Sequence, residues 1–179
     1  MTETMKFTES QNWTDIHAEN WREIVPNPEN VSTFLEIGNW EGRSTIWWSD
    51  YCVNAKIISI DPSLNLDRRQ TLLGNISKHP RANRIDLRFG MSERELNRIP
   101  TESVDVVYVD GCHEAKNVLL DGLMSYRTLK QGGVLIFDDY GLEEPLGYET
   151  LKPSIGIDAF LSVIQCDVIH KGWQLAIRK

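Results

Sequence analysis

The sequence has few cysteines, and their spacing excludes two kinds of structure. The three cysteines are Cys52, Cys112 and Cys166, an odd number with no Cys-x-x-Cys pair. This pattern fits neither a disulfide framework nor a zinc site, and it is typical of a reducing compartment. The sequence also has no run of about 18 apolar residues and no apolar signal core at its N-terminus. We therefore expect a cytoplasmic protein that makes no contact with a membrane.

An excess of positive charge is also missing. Lysine and arginine number 19 against 26 aspartates and glutamates, which gives a net charge of −7. Generic nucleic-acid binders present a basic face instead. The local basic run of Arg81, Arg84 and Arg88 is interrupted by Asp86, which favours a solvated surface. We expect no nucleic-acid partner.

The 179 residues suit one domain in which short strands and helices alternate. A helix capped by Thr14 and ending near Val25 forms an N-terminal helical extension within residues 1–30. Apolar runs then predict strands at 33–37, 56–60, 85–89, 104–109 and 133–137, with helices at 43–53, 67–79, 92–98 and 114–128. Such alternation predicts an α/β protein with a parallel sheet.

The end of the chain departs from this alternation. Two strand-like segments, Asp167–His170 and Trp173–Arg178, are separated only by Lys171 and Gly172. A two-residue connection joins antiparallel strands, because a parallel pair needs a longer crossover. We therefore expect the sheet to end in an antiparallel hairpin.

Residues 33–45 contain the most informative segment, Thr-Phe-Leu-Glu-Ile-Gly-Asn-Trp-Glu-Gly-Arg-Ser-Thr. A strand, a turn with Gly38 and Gly42, and the start of a helix follow one another. Such a turn lets a ligand approach the backbone at the carboxyl end of a parallel strand. The Gly-x-x-x-Gly spacing lacks the Gly-x-Gly-x-x-Gly pattern of dinucleotide sites.

Acidic residues stand at the ends of four predicted strands: Glu36, Asp61, Asp110 and the pair Asp138-Asp139. In a parallel sheet these ends share one edge, where ligands bind. Asp61 lies 19 residues after Gly42, the spacing at which an acid holds ribose hydroxyls. The acids suit a ligand with hydroxyls and a cationic group, or a metal. Helix capping and turn formation are the alternatives for each acid taken alone.

Together these segments resemble the class I S-adenosylmethionine-dependent methyltransferases, and among them a small O-methyltransferase group with an Asp-Gly-x-His segment. The resemblance covers residues 31–179 and implies a Rossmann-like three-layer sandwich with a mostly parallel seven-stranded sheet. It rests on residues 34–38 with Gly42, Ser44 and Thr45, on Ile60-Asp61, on residues 108–113, and on residues 132–140. The turn residues Asn39-Trp40-Glu41 are bulkier and more polar than a glycine-rich version.

The resemblance also implies roles for individual residues. It places Glu36 and Gly38 at the methionine portion of the cofactor, with Asn39, Gly42 and Ser44 in the same turn. It places Asp61 at the ribose, Gly90 and Met91 beside the adenine, and Asp110 near the methionine end or the reacting centre.

Methyl transfer to a hydroxyl requires that the hydroxyl lose its proton, and two routes are open. His113 can act as the general base, since histidine titrates near neutrality. Alternatively, Asp110, Asp138 and Asp139 can hold Mg²⁺ or another divalent cation, as acids at corresponding positions do in catechol-type O-methyltransferases. The alternatives are that His113 caps or packs at the next helix and that the aspartates cap a turn.

These inferences predict O-methylation of a small hydroxylated molecule and, by analogy, of a sugar or glycan precursor. An NAD(P)-dependent oxidoreductase and a non-catalytic cofactor-binding regulatory subunit are the alternatives. The short chain leaves little room for a substrate domain, which favours a small substrate or a site completed in a homodimer. The irregular segment 138–154, with Tyr140 and Tyr148, is expected either to cover the substrate or to be a mobile surface loop.

Overall fold

The computed structural model describes residues 4–142 and 152–179. Seven strands form one sheet: β1 (Thr33–Ile37), β2 (Lys56–Asp61), β3 (Ile85–Phe89), β4 (Val104–Val109), β5 (Leu129–Phe137), β6 (Asp167–Lys171) and β7 (Leu175–Arg178). Six α-helices flank it within the described ranges: α1 (Trp13–Ile24), α2 (Arg43–Tyr51), α3 (Leu66–Ser77), α4 (Ser92–Leu96), α5 (Ala115–Thr128) and α6 (Pro153–Val163). The first four strands and first five helices lie within two residues of their predicted bounds at either end.

The sheet has the strand order β3-β2-β1-β4-β5-β7-β6. The first five strands pair in parallel, whereas β7 runs antiparallel to β5 and β6 runs antiparallel to β7. The predicted Rossmann-like α/β fold with a terminal antiparallel hairpin is therefore confirmed. Strand β4 lies near the middle, and its nearly continuous apolar sequence is buried on both faces.

Alternating residues of the strands build two cores, one on each face of the sheet. Leu35 belongs to the core that α4, α5 and α6 cover, and its neighbour Phe34 belongs to the core covered by α1 and α2. Trp21 of α1 is 1% exposed, and its ring lies 5.0 Å from that of Trp48 and 5.2 Å from that of Tyr108. Helix α1, predicted as an extension, thus packs into the same core as the sheet.

The cap of α1 differs from the prediction. The helix begins at Trp13, and the side chain of Asn12 accepts a hydrogen bond from the Asp15 backbone N–H. Thr14, the predicted cap, lies inside the first turn and is buried.

Strand β5 begins at Leu129, four residues before its predicted start at 133. The glycines at 132 and 133 lie within the strand, next to a register shift between Val104 and Val106. Gly132 adopts φ +77°, and its N–H donates to the Lys179 carbonyl oxygen. The glycines therefore form an irregularity in the strand and do not end it.

The connection of the terminal hairpin and the helix α6 also differ from the predictions. Residues 172–174 link β6 to β7, so the connection has three residues instead of two. Helix α6 was not predicted, and its first residue, Pro153, falls within the segment expected to be irregular. A Cβ at Gly156 would lie 2.2 Å from the Ala115 carbonyl oxygen, so α6 packs very closely on α5. The cover expected around Tyr148 lies outside the described residues.

Candidate active site

The turn after β1 brings the carboxyl ends of two neighbouring strands into contact. Gly38 adopts φ +87°, and its N–H donates to the Ile60 carbonyl oxygen at 2.8 Å. A Cβ at this position would lie 1.8 Å from the Asp110 carbonyl oxygen. Gly42, with φ +84°, caps α2 and packs against Leu72 of α3. Both positions require glycine, because other protein atoms occupy the space that a Cβ would fill. The expected approach of a ligand to this turn stays a prediction.

Glu36 is fully buried beneath this turn. Its Oε1 accepts a hydrogen bond from the Ser44 hydroxyl at 2.6 Å, and its Oε2 accepts bonds from the hydroxyls of Ser59, at 2.8 Å, and Thr45. Burial raises the pKa of Glu36 to about 7, although the three hydroxyl groups oppose that shift. Hydrogen bonds of the Glu36 carboxyl group therefore link the end of β1 to α2 and β2.

Asp61 and Asn39 are joined by a hydrogen bond, and both carry acceptor oxygens. The Oδ2 atom of Asp61 accepts a hydrogen bond from the Asn39 N–H at 3.2 Å, and Oδ1 accepts one from the Ser63 N–H at 2.5 Å. Asn39 is 2% exposed, and its side-chain nitrogen donates to the Ser59 hydroxyl at 2.9 Å. Among the described residues nothing donates to its Oδ1. A ligand with hydroxyl or ammonium donors fits this pair.

A cavity of about 740 Å³ opens at this edge of the sheet. Its wall comprises Trp13, Thr14, Trp21, Ile37, Gly38, Asn39, Trp40, Glu41, Arg43, Ser44, Ile60, Asp61, Pro62, Arg68, Met91, Ser92, Glu93, Tyr108, Asp110, Gly111, Cys112, His113, Asn117, Leu120 and Asp121. This size is typical of pockets for small molecules and cofactors. The cavity thus joins the glycine turn, the end of β2 and the end of β4.

Most of the predicted site residues contribute to this wall, but some do not. Those in the wall are Gly38, Asn39, Ser44, Asp61, Met91, Asp110 and His113. Those outside it are Glu36, Gly42, Gly90, Asp138 and Asp139. Glu36 lies outside the wall because the hydroxyl groups of Ser44, Thr45 and Ser59 surround its carboxyl group, and its contact with the methionine portion stays a prediction. Gly42 and Gly90 are packing positions, where a Cβ would meet Leu72 and Glu95 respectively.

Several helices add wall residues that the sequence did not indicate, and α1 and α5 contribute most of them. Helix α1 supplies Trp13, Thr14 and Trp21, and α5 supplies Leu120 and Asp121 among others. Helix α1 precedes the glycine turn in the chain and carries no motif, so its position over the cavity follows only from tertiary packing. Asp121 offered a signal, namely an acid on the buried face of a helix, that could have been noticed.

Three carboxylates meet beside the cavity, as predicted for neighbouring strand ends. One oxygen from each of Asp110, Asp138 and Asp139 lies within 4.8 Å of the others. The Tyr108 hydroxyl lies 2.5 Å from Asp138 Oδ2 and 3.1 Å from Asp110 Oδ2. Burial raises the pKa of Asp110 well above its ordinary value, and repulsion by Asp138 adds to the shift. The pKa of Asp138 is raised as well, by burial and then by the charge of Asp139.

His113 lies next to this cluster at the cavity wall. Its Nε2 is 3.0 Å from Asp139 Oδ2, and 43% of its side chain is exposed. Asp139 adopts φ +56°, a left-handed conformation that aspartate tolerates better than most residues. A carboxylate hydrogen-bonded to an accessible imidazole is an arrangement that suits proton transfer.

Trp40 is in the turn between the two glycines, where stacking on a ligand and packing over the turn were equally open. The Arg68 guanidinium lies 3.2 Å from the centroid of its ring, and the Trp13 ring meets it edge-on at 6.4 Å. All three residues belong to the cavity wall. Trp40 therefore packs within a cluster of aromatic and cationic side chains in the cavity wall.

A match to the sequence profile of a protein family identifies the family of this domain. The methyltransferase-domain profile matches residues 35–140, which is more than half of the chain. The chain belongs to this methyltransferase family. The matched residues of the methyltransferase run from β1 through the glycine turn, Asp61 and the Asp110 segment to Tyr140, so they include most of the cavity wall.

Solved structures of methyltransferases share the fold. The O-methyltransferase from Bacillus cereus in complex with S-adenosylhomocysteine superimposes with a TM-score of 0.68 and is 18% identical, covering 99% of this chain and 84% of its own. The O-methyltransferase TomG from Streptomyces achromogenes in complex with S-adenosylmethionine gives a TM-score of 0.69 at 14% identity, covering 98% and 82%. These similarities confirm the three-layer fold of the methyltransferase.

A curated relative matches over a shorter region. The uncharacterized protein R132 of Acanthamoeba polyphaga mimivirus is 27% identical over 113 residues, which is 60% of this chain and 51% of that protein. The chain thus spans about half the length of the curated relative it matches. Within the described residues, none of the helices combines the length and apolar character needed to cross a bilayer.

Proposed function

We propose that this methyltransferase transfers a methyl group from S-adenosylmethionine to a hydroxyl of a small molecule. One observation carries the proposal: a single cavity joins the acceptor oxygens of Asp61 and Asn39 to the carboxylate Asp110 and the imidazole of His113. The first pair suits a ribose, and the second pair suits a reacting hydroxyl. The family assignment favours this function over the nicotinamide-dependent alternative.

The cavity wall supports binding of a nucleoside with a cationic end. Asp61 and Asn39 offer acceptors for ribose hydroxyls, and Gly38 lies in the same cavity wall, where it can face the methionine portion. The carboxylates near Asp110 favour a positively charged group, since the sulfonium and the ammonium both carry positive charge. A pyrophosphate would meet the same carboxylates and be repelled.

The residues around Asp110 support a role in positioning and deprotonating the acceptor. S-adenosylmethionine supplies the electrophilic methyl group when bound, so the protein must align a nucleophile with it. His113 belongs to the cavity wall, and its Nε2–H faces Asp139 Oδ2 at 3.0 Å. The other ring nitrogen, Nδ1, can take the hydroxyl proton, while Asp139 stabilises the resulting imidazolium. A neutral imidazole at the start of the step is required for this role.

The carboxylate cluster also fits a divalent cation. Asp110, Asp138 and Asp139 offer hard oxygen atoms close enough together to bind one ion such as Mg²⁺. A cation held there would supply positive charge that favours loss of the hydroxyl proton. It would also relieve the repulsion that raises the pKa of Asp110.

Isothermal titration with S-adenosylhomocysteine and with NADH tests the cofactor. We expect the protein to bind the first and not the second, and Asp61→Asn to weaken binding by tenfold or more because a charged acceptor for ribose is lost. Binding of NADH alone would refute the proposal. Turnover is then measured as S-adenosylhomocysteine formed with a panel of catechols, sugars and other small hydroxylated molecules. Cofactor binding without turnover on the panel would favour the regulatory-subunit alternative.

Two further measurements separate the routes for proton removal. Titration with Mg²⁺ and Mn²⁺ in the presence of S-adenosylhomocysteine should give binding that Asp139→Asn weakens, and no heat of binding would exclude the cation. His113→Ala should lower kcat by at least a hundredfold if the imidazole is the base. Unchanged turnover in that variant would remove His113 from the mechanism.

A further inference from the structure

An N-terminal strap, which comprises residues 4–12, is held by the glycine turn. The Thr8 N–H donates to Glu41 Oε2 at 2.7 Å, and the Thr8 hydroxyl donates to Glu41 Oε1 at 2.8 Å. At the start of α2, the Arg43 guanidinium lies 4.5 Å from the centroid of the Phe7 ring. These contacts give a role to the charged residue of the bulky turn, which the function proposed above does not use.

Asn75 of α3 holds the strap at a second point. Its Oδ1 accepts a hydrogen bond from the Lys6 N–H at 2.7 Å. Its Nδ2 donates to the Lys6 carbonyl oxygen at 2.7 Å and to the Glu41 carbonyl oxygen at 2.9 Å. Asn75 is 1% exposed, whereas Lys6 and Thr8 are exposed. One buried amide therefore joins the strap, the glycine turn and α3.

The groups that hold the strap also belong to the cavity wall. Glu41 and Arg43 line the cavity, and so does Trp13, which follows the strap directly in the chain. The ring of Trp13 meets that of Trp40, in the same turn, edge-on at 6.4 Å. Undocking of the strap would therefore release wall residues of both the turn and α1. Contacts at exposed positions open more readily than those of a core, so such undocking needs no global unfolding.

Resting on the proposed function for the identity of the ligand, we propose that the strap holds the glycine turn in its ligand-binding arrangement, so that docking of the strap and binding of S-adenosylmethionine stabilise each other. A ligand that contacts the wall binds more tightly when the wall is fixed. By linkage, the bound ligand then favours the docked strap by the same factor. Strap and turn thus form one element with a docked and an undocked state.

A substitution at Thr8 tests the hold of the strap on the turn without any ligand. Thr8→Pro removes both donors to Glu41, and the φ of −71° at this position suits proline. Thr8→Ser keeps both donors and is the matched control. Amide hydrogen exchange is followed by NMR on the full chain. The Gly42 N–H, which donates to the Asn39 carbonyl oxygen within the turn, should exchange about fivefold faster or more in Thr8→Pro than in the wild type and in Thr8→Ser.

S-adenosylhomocysteine then tests the coupling between strap and cavity. At saturation it should slow the exchange of the Lys6 and Thr8 N–H groups in the wild type by about fivefold or more, because the docked strap is favoured. In isothermal titration Thr8→Pro should bind it about threefold more weakly or worse, since part of the binding free energy is used to dock the strap. Thr8→Ser should bind it as the wild type does.

The outcomes are distinct. Equal exchange of the Gly42 N–H in the wild type and in Thr8→Pro would overturn the hold of the strap on the turn, whether or not a cofactor binds. If the wild type fails to bind S-adenosylhomocysteine, the proposed function fails, and the exchange of the Gly42 N–H still decides the role of the strap. If the wild type binds it while the exchange of Lys6 and Thr8 is unchanged, the coupling fails and the proposed function stands.

Discussion

Replacement of Glu36 by glutamine should change how the stability of the protein depends on pH. The carboxyl of Glu36 is fully buried and accepts hydrogen bonds from the hydroxyls of Ser44, Thr45 and Ser59. Burial raises its pKa from 4.5 to about 7 in the folded protein. In the unfolded chain the carboxyl is in water and titrates near its ordinary value.

The magnitude follows from this difference. Between pH 4.5 and 7 the folded state holds a proton that the unfolded state has lost, so the free energy of unfolding falls as the pH rises. Each unit by which the pKa is raised corresponds to about 1.36 kcal/mol, so the rise from 4.5 to about 7 contributes about 3 kcal/mol to the free energy of unfolding. All of this contribution is lost by pH 8. The contribution is fully present below pH 4.5, where both states are protonated. Glutamine does not titrate, so Glu36→Gln removes this dependence.

Urea denaturation followed by tryptophan fluorescence measures the effect, since the chain has six tryptophans. The free energy of unfolding of the wild type minus that of Glu36→Gln should fall by about 3 kcal/mol from pH 4 to pH 8. The contributions of the other titratable groups, which both proteins share, cancel in this difference. Glu19→Gln, at an exposed position of α1, serves as the control, and its difference from the wild type should stay level. A level difference for Glu36→Gln as well would refute the argument that burial controls this carboxyl.

Three further changes have outcomes that follow from packing and hydrogen bonding. Gly38→Ala should lower stability by more than about 3 kcal/mol in urea denaturation, because the new Cβ would overlap the Asp110 carbonyl oxygen; a loss below 1 kcal/mol would contradict the close approach. Trp21→Ala should lower the free energy of unfolding by about 3–5 kcal/mol, which is measured as a lower urea midpoint. A loss as small as that of a surface substitution would show that α1 is not part of the core. Tyr108→Phe should cost about 1–3 kcal/mol in urea denaturation, because Asp110 and Asp138 lose the hydroxyl that lies within hydrogen-bond distance of both; a cost below about 0.5 kcal/mol would argue against that role.

The fold could be predicted because each connection between strands has a local signal. Apolar runs and helical patterns alternate with clear breaks, and the order of a parallel sheet constrains where the strands end. This is why the acids at 110, 138 and 139, which are distant in the chain, could be expected to meet. Helix α6 lacked a comparable signal, since it is apolar on most sides and so shows little helical periodicity.

The candidate site was predictable only where its residues lie at strand ends. Trp13 and Trp21 reach the cavity because α1 packs over the sheet, and no local pattern before the glycine turn encodes that contact. Glu36 is the opposite case, because its place at a strand end was predicted and its surroundings were not. Its position at the end of β1 was right, but the direction of its side chain depends on hydroxyls from α2 and β2, which tertiary structure brings around it.

The acids at this edge are held without lysine or arginine, which bears on the kind of ligand that they favour. Hydroxyls enclose Glu36, backbone N–H groups bind Asp61, and Tyr108 lies between Asp110 and Asp138. Among the described residues, none of these four carboxylates forms an ion pair with a lysine or arginine; Asp138 has only His17, at 4.0 Å. No lysine or arginine neutralises these acids, so each one that is ionised adds to a potential that attracts cations. An edge built in this way favours a positively charged ligand over a phosphate-bearing one, independently of the shape of the turn.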